Sequence, residues 1–381
     1  MKSLLFSFLT FLTLAGIIFP QDNLSFRGYV QSLQTAWIPA RQSKWLTVSS
    51  FNNRLDLNYY LTDGLKVTAG VRNNFTYGEI VSMVPGYEAV VTADPGFFDL
   101  TAQITSDTSY VLYTNADRLY IAYTTGNLEL SAGRQRINWG INDVWNPNDI
   151  FNTFSYFDFD YEEKPGSDAL RAQYYTGQLS SVELAVKADA DKKITSALLF
   201  RFNVSGYDFQ FFGGSMPDDY VAGAGWSGEI ATAGFSGEIT AFTPKESEKG
   251  KTEIISSYGL NYTFRDGLMF RFSMLFNSAG ASGKAAAGTS VFNKTLSVKT
   301  LSPAKYSMFG AVSYPFTPLL AGSISGMFNP GDLSRYIGLS LDYSFTDNLY
   351  LTFISQMFFG DEGTEFGDYG KLFFLRLRQS F

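Results

Sequence analysis

Neither cysteine nor histidine occurs in the 381 residues of this chain. The first absence excludes a disulfide framework and any thiol nucleophile. The second removes the commonest general base and metal ligand at neutral pH. Charge is sparse, 17% of residues, and its formal balance of −7 argues against nucleic acid as a partner. Long apolar runs are missing except at the amino terminus, where Met1-Lys2-Ser3 precedes an apolar stretch from Leu4 to Phe19. A membrane-spanning helix needs about 20 apolar residues, more than this stretch supplies. Residues 1–21 are therefore expected to be a cleaved signal peptide, cut after Ala15 or near Gln21, and residues 22–381 a single domain.

What the chain has in excess is aromatic residues, 36 Phe and 23 Tyr. Many fall in segments of strict alternation. Leu55, Leu57, Tyr59 and Leu61 alternate with Arg54, Asp56, Asn58 and Tyr60. Leu268, Phe270, Phe272, Met274 and Phe276 oppose Arg271, Ser273 and Asn277, and Ile337, Leu339, Leu341, Tyr343 and Phe345 oppose Ser340, Asp342 and Ser344. A period of two means a strand with one apolar and one polar face. Such a face meets a core in a soluble sandwich and lipid in a membrane barrel, and periodicity does not separate the two. The aromatic excess favours the barrel, whose strands present rings to lipid and to both interfaces.

Turn signals give the layout. Short Gly-, Asp-, Asn- or Pro-bearing turns stand at 62–64, 124–127, 176–178, 205–206, 233–234, 265–267, 314–318 and 346–348, as tight hairpins require. Between them lie longer connections at about 39–46, 78–112, 139–166, 188–193, 215–221, 244–252, 278–302, 328–334 and 359–368, the alternation of short turns and long loops that marks outer-membrane barrels. Eight turns and nine loops join eighteen strands; sixteen is the other count the spacing allows. An even count puts both termini on the periplasmic side. Prolines agree, for none falls inside an expected strand, where the missing N–H would break the ladder.

The expected fold is thus all-β, a transmembrane antiparallel β-barrel with short periplasmic turns and long external loops. Its tail supports this. Phe373, Leu375, Leu377 and Phe381 face one way, Gly370, Arg376, Arg378 and Ser380 the other, and the alternation runs to an aromatic last residue. That ending resembles the closing strand of bacterial outer-membrane barrels, and the resemblance implies that Phe381 is part of the signal read by the barrel-assembly machinery.

The most distinctive segment is Gly133-Arg-Gln-Arg-Ile-Asn-Trp-Gly140, continuing to Asn146-Pro-Asn-Asp149 and Asn152. It resembles a pattern, roughly G-R-Q…W-G…N-P-x-D, of large porin-like outer-membrane proteins of the alginate-export and substrate-specific porin type. Over about 20 residues the likeness implies architecture more firmly than cargo. By resemblance alone, a monomer is expected. Leu128, Leu130 and Ala132 set an outward register that leaves Arg134 and Arg136 facing lipid, at about 2–4 kcal/mol each near mid-bilayer. Either Gly133 seeds a bulge that turns both inward, the preferred reading, or they lie above the lipid band at the external interface.

The connection 139–166 is long, aromatic and acidic, with Trp139, Trp145, Asp149, Asp158, Asp160, Glu162 and Glu163. It is too apolar to stand in water. We expect it to fold into the lumen and narrow it; the alternative is an ordered external cap. Inner-face positions carry Arg54, Arg72, Arg118, Arg171 and Arg201, joined under the bulge reading by Arg134 and Arg136. A basic wall facing an acidic loop would orient polar solutes, whereas the same arginines could instead brace the wall by pairing with Asp56, Glu129, Glu183 or Asp342.

No Gly-x-Ser-x-Gly elbow occurs, no His could activate a Ser, and Asp158 with Asp160 lacks a structured setting for glycosidase chemistry. The acidic cluster lacks EF-hand spacing. No enzyme activity, metal or cofactor is expected. The reading that fits is an outer-membrane channel for small hydrophilic solutes, with lipid, lipopolysaccharide and the assembly machinery as partners. The alternative is a non-conducting outer-membrane barrel whose external loops bind polysaccharide or a partner protein, through rings such as Trp37, Trp45, Tyr87 and Tyr220.

Overall fold

A computed structural model describes residues 23–160, 163–246, 248, 250–285 and 297–381. The expected leader and Glu162 lie outside the described residues.

The alternating segments are strands, in the order β1 (Leu24–Ile38), β2 (Leu46–Thr62), β3 (Leu65–Gly78), β4 (Thr101–Asp107), β5 (Tyr110–Thr125), β6 (Leu128–Gln135), β7 (Ser167–Gly177), β8 (Ser180–Ala188), β9 (Ile194–Val204) and β10 (Tyr207–Ser215). They continue with β11 (Asp219–Ile230), β12 (Ala233–Pro244), β13 (Glu253–Thr263), β14 (Met269–Asn277), β15 (Tyr306–Thr317), β16 (Leu320–Phe328), β17 (Arg335–Thr346), β18 (Leu349–Phe359) and β19 (Lys371–Ser380). β1 pairs antiparallel with β19 from Tyr29↔Ser380 to Ile38↔Lys371, which closes the sheet into a barrel and leaves no wall edge unpaired.

Eighteen strands form the wall. β4 is not one of them. One edge of β5 is taken by β3, while its other edge pairs with β6 over 119–125 and with β4 over 110–115. β4 therefore prolongs the lane of β6 beyond Gln135. It belongs to the connection after β3, which also holds two short helices, α1 (Glu79–Met83) and α2 (Tyr87–Thr92).

The two faces follow the alternation. On β9, Leu199 is 0% exposed while its neighbours Leu198 and Phe200 are 53% and 43% exposed. The outward apolar set includes Leu119, Leu170, Phe272 and Leu341. Inside, a cluster that includes Trp139, Trp145, Phe151, Phe212, Phe309 and Tyr336 packs loop rings against wall residues on strands from β7 to β19.

Two local expectations need correcting. The turn after β11 is Ala231-Thr232, not 233–234, and both residues have positive φ. Pro315 lies inside β15 rather than in a turn; the register against β16 shifts between Pro315 and Thr317, an irregularity at which a missing donor is tolerated.

Candidate functional site

The described residues between β6 and β7, 136–160 and 163–166, fold inward rather than over the top. A carboxylate in the wall carries the first half. Glu238, buried on β12, accepts the backbone N–H groups of Ile141 (2.5 Å), Asn142 (2.8 Å) and Asn148 (2.9 Å). A loop entering a closed barrel brings backbone donors that need partners, and this one acid answers three. Trp139 donates its indole N–H to Glu183 at 2.9 Å and packs edge-on to Phe151 at 4.8 Å. Ser257 holds the carbonyl of Trp145, and Thr240 and Ala224 hold the side chain of Asn148.

Close approach is allowed by glycine. A Cβ at Gly225 on β11 would stand 2.6 Å from Ile141 Cδ1, and one at Gly223 would stand 3.0 Å from Asn148 Oδ1 and closer still to the Phe212 ring. The sequence reading missed Glu238 and both glycines. The signal was there: small residues on β11 beside an inward acid mark a place where another backbone comes near.

The second half of the loop crosses to the opposite wall. Phe157 O accepts from Gln356 on β18 (3.2 Å) and Phe159 packs on Phe374 of β19 (4.6 Å). Asp160 meets Arg72 (2.7 Å) and Gln31 (2.6 Å), and Glu163 meets Tyr29 (3.3 Å) and Arg54 (3.8 Å). Between this half and β17–β19 lies a cavity of about 450 Å³, lined by Asp143, Asp158, Lys164, Asp342, Thr352 and Arg376 among others.

The arginines are brought together only in part. Arg54 is buried between Asp56 and Asp117, and Arg171 and Arg201 share Glu183, with Glu129 also on Arg171. Arg118 Nη2 donates to the carbonyls of Glu163 and Lys164. These contacts match the bracing alternative, and Arg72, Arg54 and Arg118 also tie the loop to the wall. A bulge turns two neighbours inward, but on β5. Its register with β3 passes from Gly70↔Arg118 to Val71↔Ala116, so Asp117 is the extra residue and lies inward beside Arg118.

At Gly133 there is no bulge, and the register continues through it against both neighbours. Its φ of +119° and the approach of Leu119 O, 2.3 Å from where a Cβ would stand, explain the glycine instead. Arg134 consequently keeps the outward parity of Leu119 and Leu170, away from the lumen, at the long-loop end of the wall. It is buried there against Asp168 (2.8 Å) and Asp94 (2.6 Å) under the segment 94–98. Arg136, past the strand end, stands within the loop near Phe154 (5.9 Å) and Asp149. Asp149 is completely buried and its Oδ1 accepts the backbone N–H of Trp139 at 3.4 Å.

A closed eighteen-strand antiparallel barrel with its polar residues turned inward and a long connection folded across the lumen is the porin type of outer-membrane fold. Solved structures with this architecture include three outer-membrane porins of the OprD/Occ type. OprD of Pseudomonas aeruginosa matches with a TM-score of 0.61 at 10% identity, over 94% of this chain and 93% of that one. OccAB1 of Acinetobacter baumannii matches with 0.61 at 10%, over 94% and 96%. OccK5 (OpdH) of Pseudomonas aeruginosa matches with 0.60 at 11%, over 94% and 97%. No family model matches the chain, and no curated protein does.

Proposed function

We propose that this chain is an outer-membrane channel for small hydrophilic solutes, in which residues 136–166 narrow the lumen and the inner-face arginines shape selectivity. The observation that carries the reading is the inward loop, docked on both sides of a closed barrel yet leaving beside β17–β19 a cavity whose mixed lining includes Asp143, Asp158, Lys164 and Arg376. Eighteen strands enclose more room than side chains alone fill. The likeness of fold to OprD/Occ porins supports the same reading. Residues 1–21 would then be removed on export, and the mature chain would fold as a monomer through the assembly machinery, with both termini periplasmic and the long connections facing lipopolysaccharide.

The test is single-channel conductance of the refolded mature chain in a planar bilayer under a salt gradient. Discrete steps are expected, with a reversal potential that Arg72→Gln displaces. Excision of 150–163 should enlarge the steps; unchanged steps would refute narrowing by the loop. A folded barrel that passes no current in any form would transfer the reading to the non-conducting alternative.

A further inference from the structure

The two ends of the barrel are distinguishable in the register. Along β17, β18 and β19 the cavity residues Asp342, Thr352 and Arg376 stand toward the tight-turn ends, whereas Tyr336 and Phe358 stand at the long-loop ends. The ring of Phe157 sits 5.0 Å from Tyr336, 5.3 Å from Phe358 and 6.2 Å from Phe366, which belongs to the connection after β18. Its neighbour Tyr156 lies 5.0 Å from Phe309 on β15. Four separate parts of the chain thus meet around two adjacent loop rings, directly between the cavity and the long-loop mouth.

The loop is held unevenly along its length, with residues 156–157 lying between two polar anchorages, Glu238 before them and Arg72 with Gln31 on Asp160 after them. Its first half is locked by buried polar bonds to Glu238, Glu183 and Ser257, with Trp139 and Phe151 each 1% exposed. Tyr156 and Phe157 are only half-buried, and they meet the wall by ring edges and by one polar bond, from Gln356 to the Phe157 carbonyl at 3.2 Å. Ring-edge contacts between surfaces that can separate carry no buried charge or strong hydrogen bond and re-form readily, and an apolar constriction stops ions by excluding water.

We propose that Tyr156 and Phe157 are an aromatic latch that closes the outer mouth above the cavity, and that solute passes when this segment withdraws while the first half of the loop stays docked. The proposal rests on the channel reading and specifies how that channel is gated.

The test is bilayer conductance of three variants, each first checked for folding by heat-modifiable migration. Phe157→Ala removes the latch from the loop. Phe366→Ala removes its receptor from the external connection, which keeps the test valid if the first variant disturbs loop docking. Phe272→Ala, an exposed ring on the outer face, is the control. Both latch variants should raise conductance or open time about twofold or more, as expected for a widened apolar constriction, with the control like wild type. Wild type silent and latch variants conducting would also support the latch. Folded latch variants that conduct as wild type does would overturn it and leave the channel reading standing. Silence from every folded form would overturn both.

Discussion

Single residues here act mostly through what they are buried against. Asp149 is the clearest case. Burial pushes its carboxyl up to about 7, nearby Glu238 adds to this, and the Trp139 N–H and Arg136 oppose it. In the unfolded chain the same group titrates near 3.8. The folded state therefore binds the extra proton, so its stabilising effect is complete below about pH 4 and is lost as pH rises toward 7. The purified barrel should melt at a higher temperature at pH 5 than at pH 8, with a difference on the order of a few kcal/mol at most. Asp149→Asn should shrink that difference, and an unchanged difference would show that another group governs it. Glu365, buried in the connection after β18, is pushed up to about 7 in the same way, so the shrinkage is partial in the single variant and larger with Glu365→Gln added. At this scale the sequence made positions legible and some partners too, for Asp56, Glu129 and Glu183 do pair with Arg54, Arg171 and Arg201. Alternation placed Arg54 and Arg171 on the inner face; that Arg54 would meet Asp117 depended on a bulge that a sequence of ordinary strand residues does not announce.

Among the elements, the connection 136–166 is decided by its receptor. Trp139, Trp145 and Phe151 said that it must bury rings, and nothing within it said where. The answer lies about ninety residues downstream, at Glu238 between two glycine-bearing strands, and such a long-range match is invisible to local pattern. Glu238→Ala would leave three buried N–H groups without an acceptor, at a cost of about 1–3 kcal/mol for each group so stranded. Faster proteolysis within 139–149 and noisier open-channel current are expected, with the barrel still closed. Glu238→Gln, which keeps acceptor oxygen, should be milder. Equal behaviour of both variants with wild type would mean that the rings alone hold the loop. Gly133 teaches the opposite lesson. A strand glycine signals either a bulge or a close neighbour, and only the course of β5 beside Gly133 tells which.

For the whole molecule the deciding feature is closure. Phe381 exchanges backbone hydrogen bonds with Gly28 at 3.0 Å in both directions, and its ring lies 5.9 Å from that of Phe26, so the last residue seals the seam between the first and last strands. Phe381→Ala should lower the yield of heat-modifiable barrel in cells more than its melting temperature in detergent, since the ring contact is exposed; equal loss in both would assign the ring to stability rather than assembly. The sequence by itself determined most of the wall strands and their two faces, because turn chemistry and a period of two are local and repeat at every hairpin; it left the count at sixteen or eighteen and did not announce β4. Tertiary structure alone decided which arginines face the lumen, how the loop lies across it, and which rings meet above the cavity. Those are contacts between segments far apart in the chain, fixed only when the barrel closes and brings its inner walls within reach of the loop.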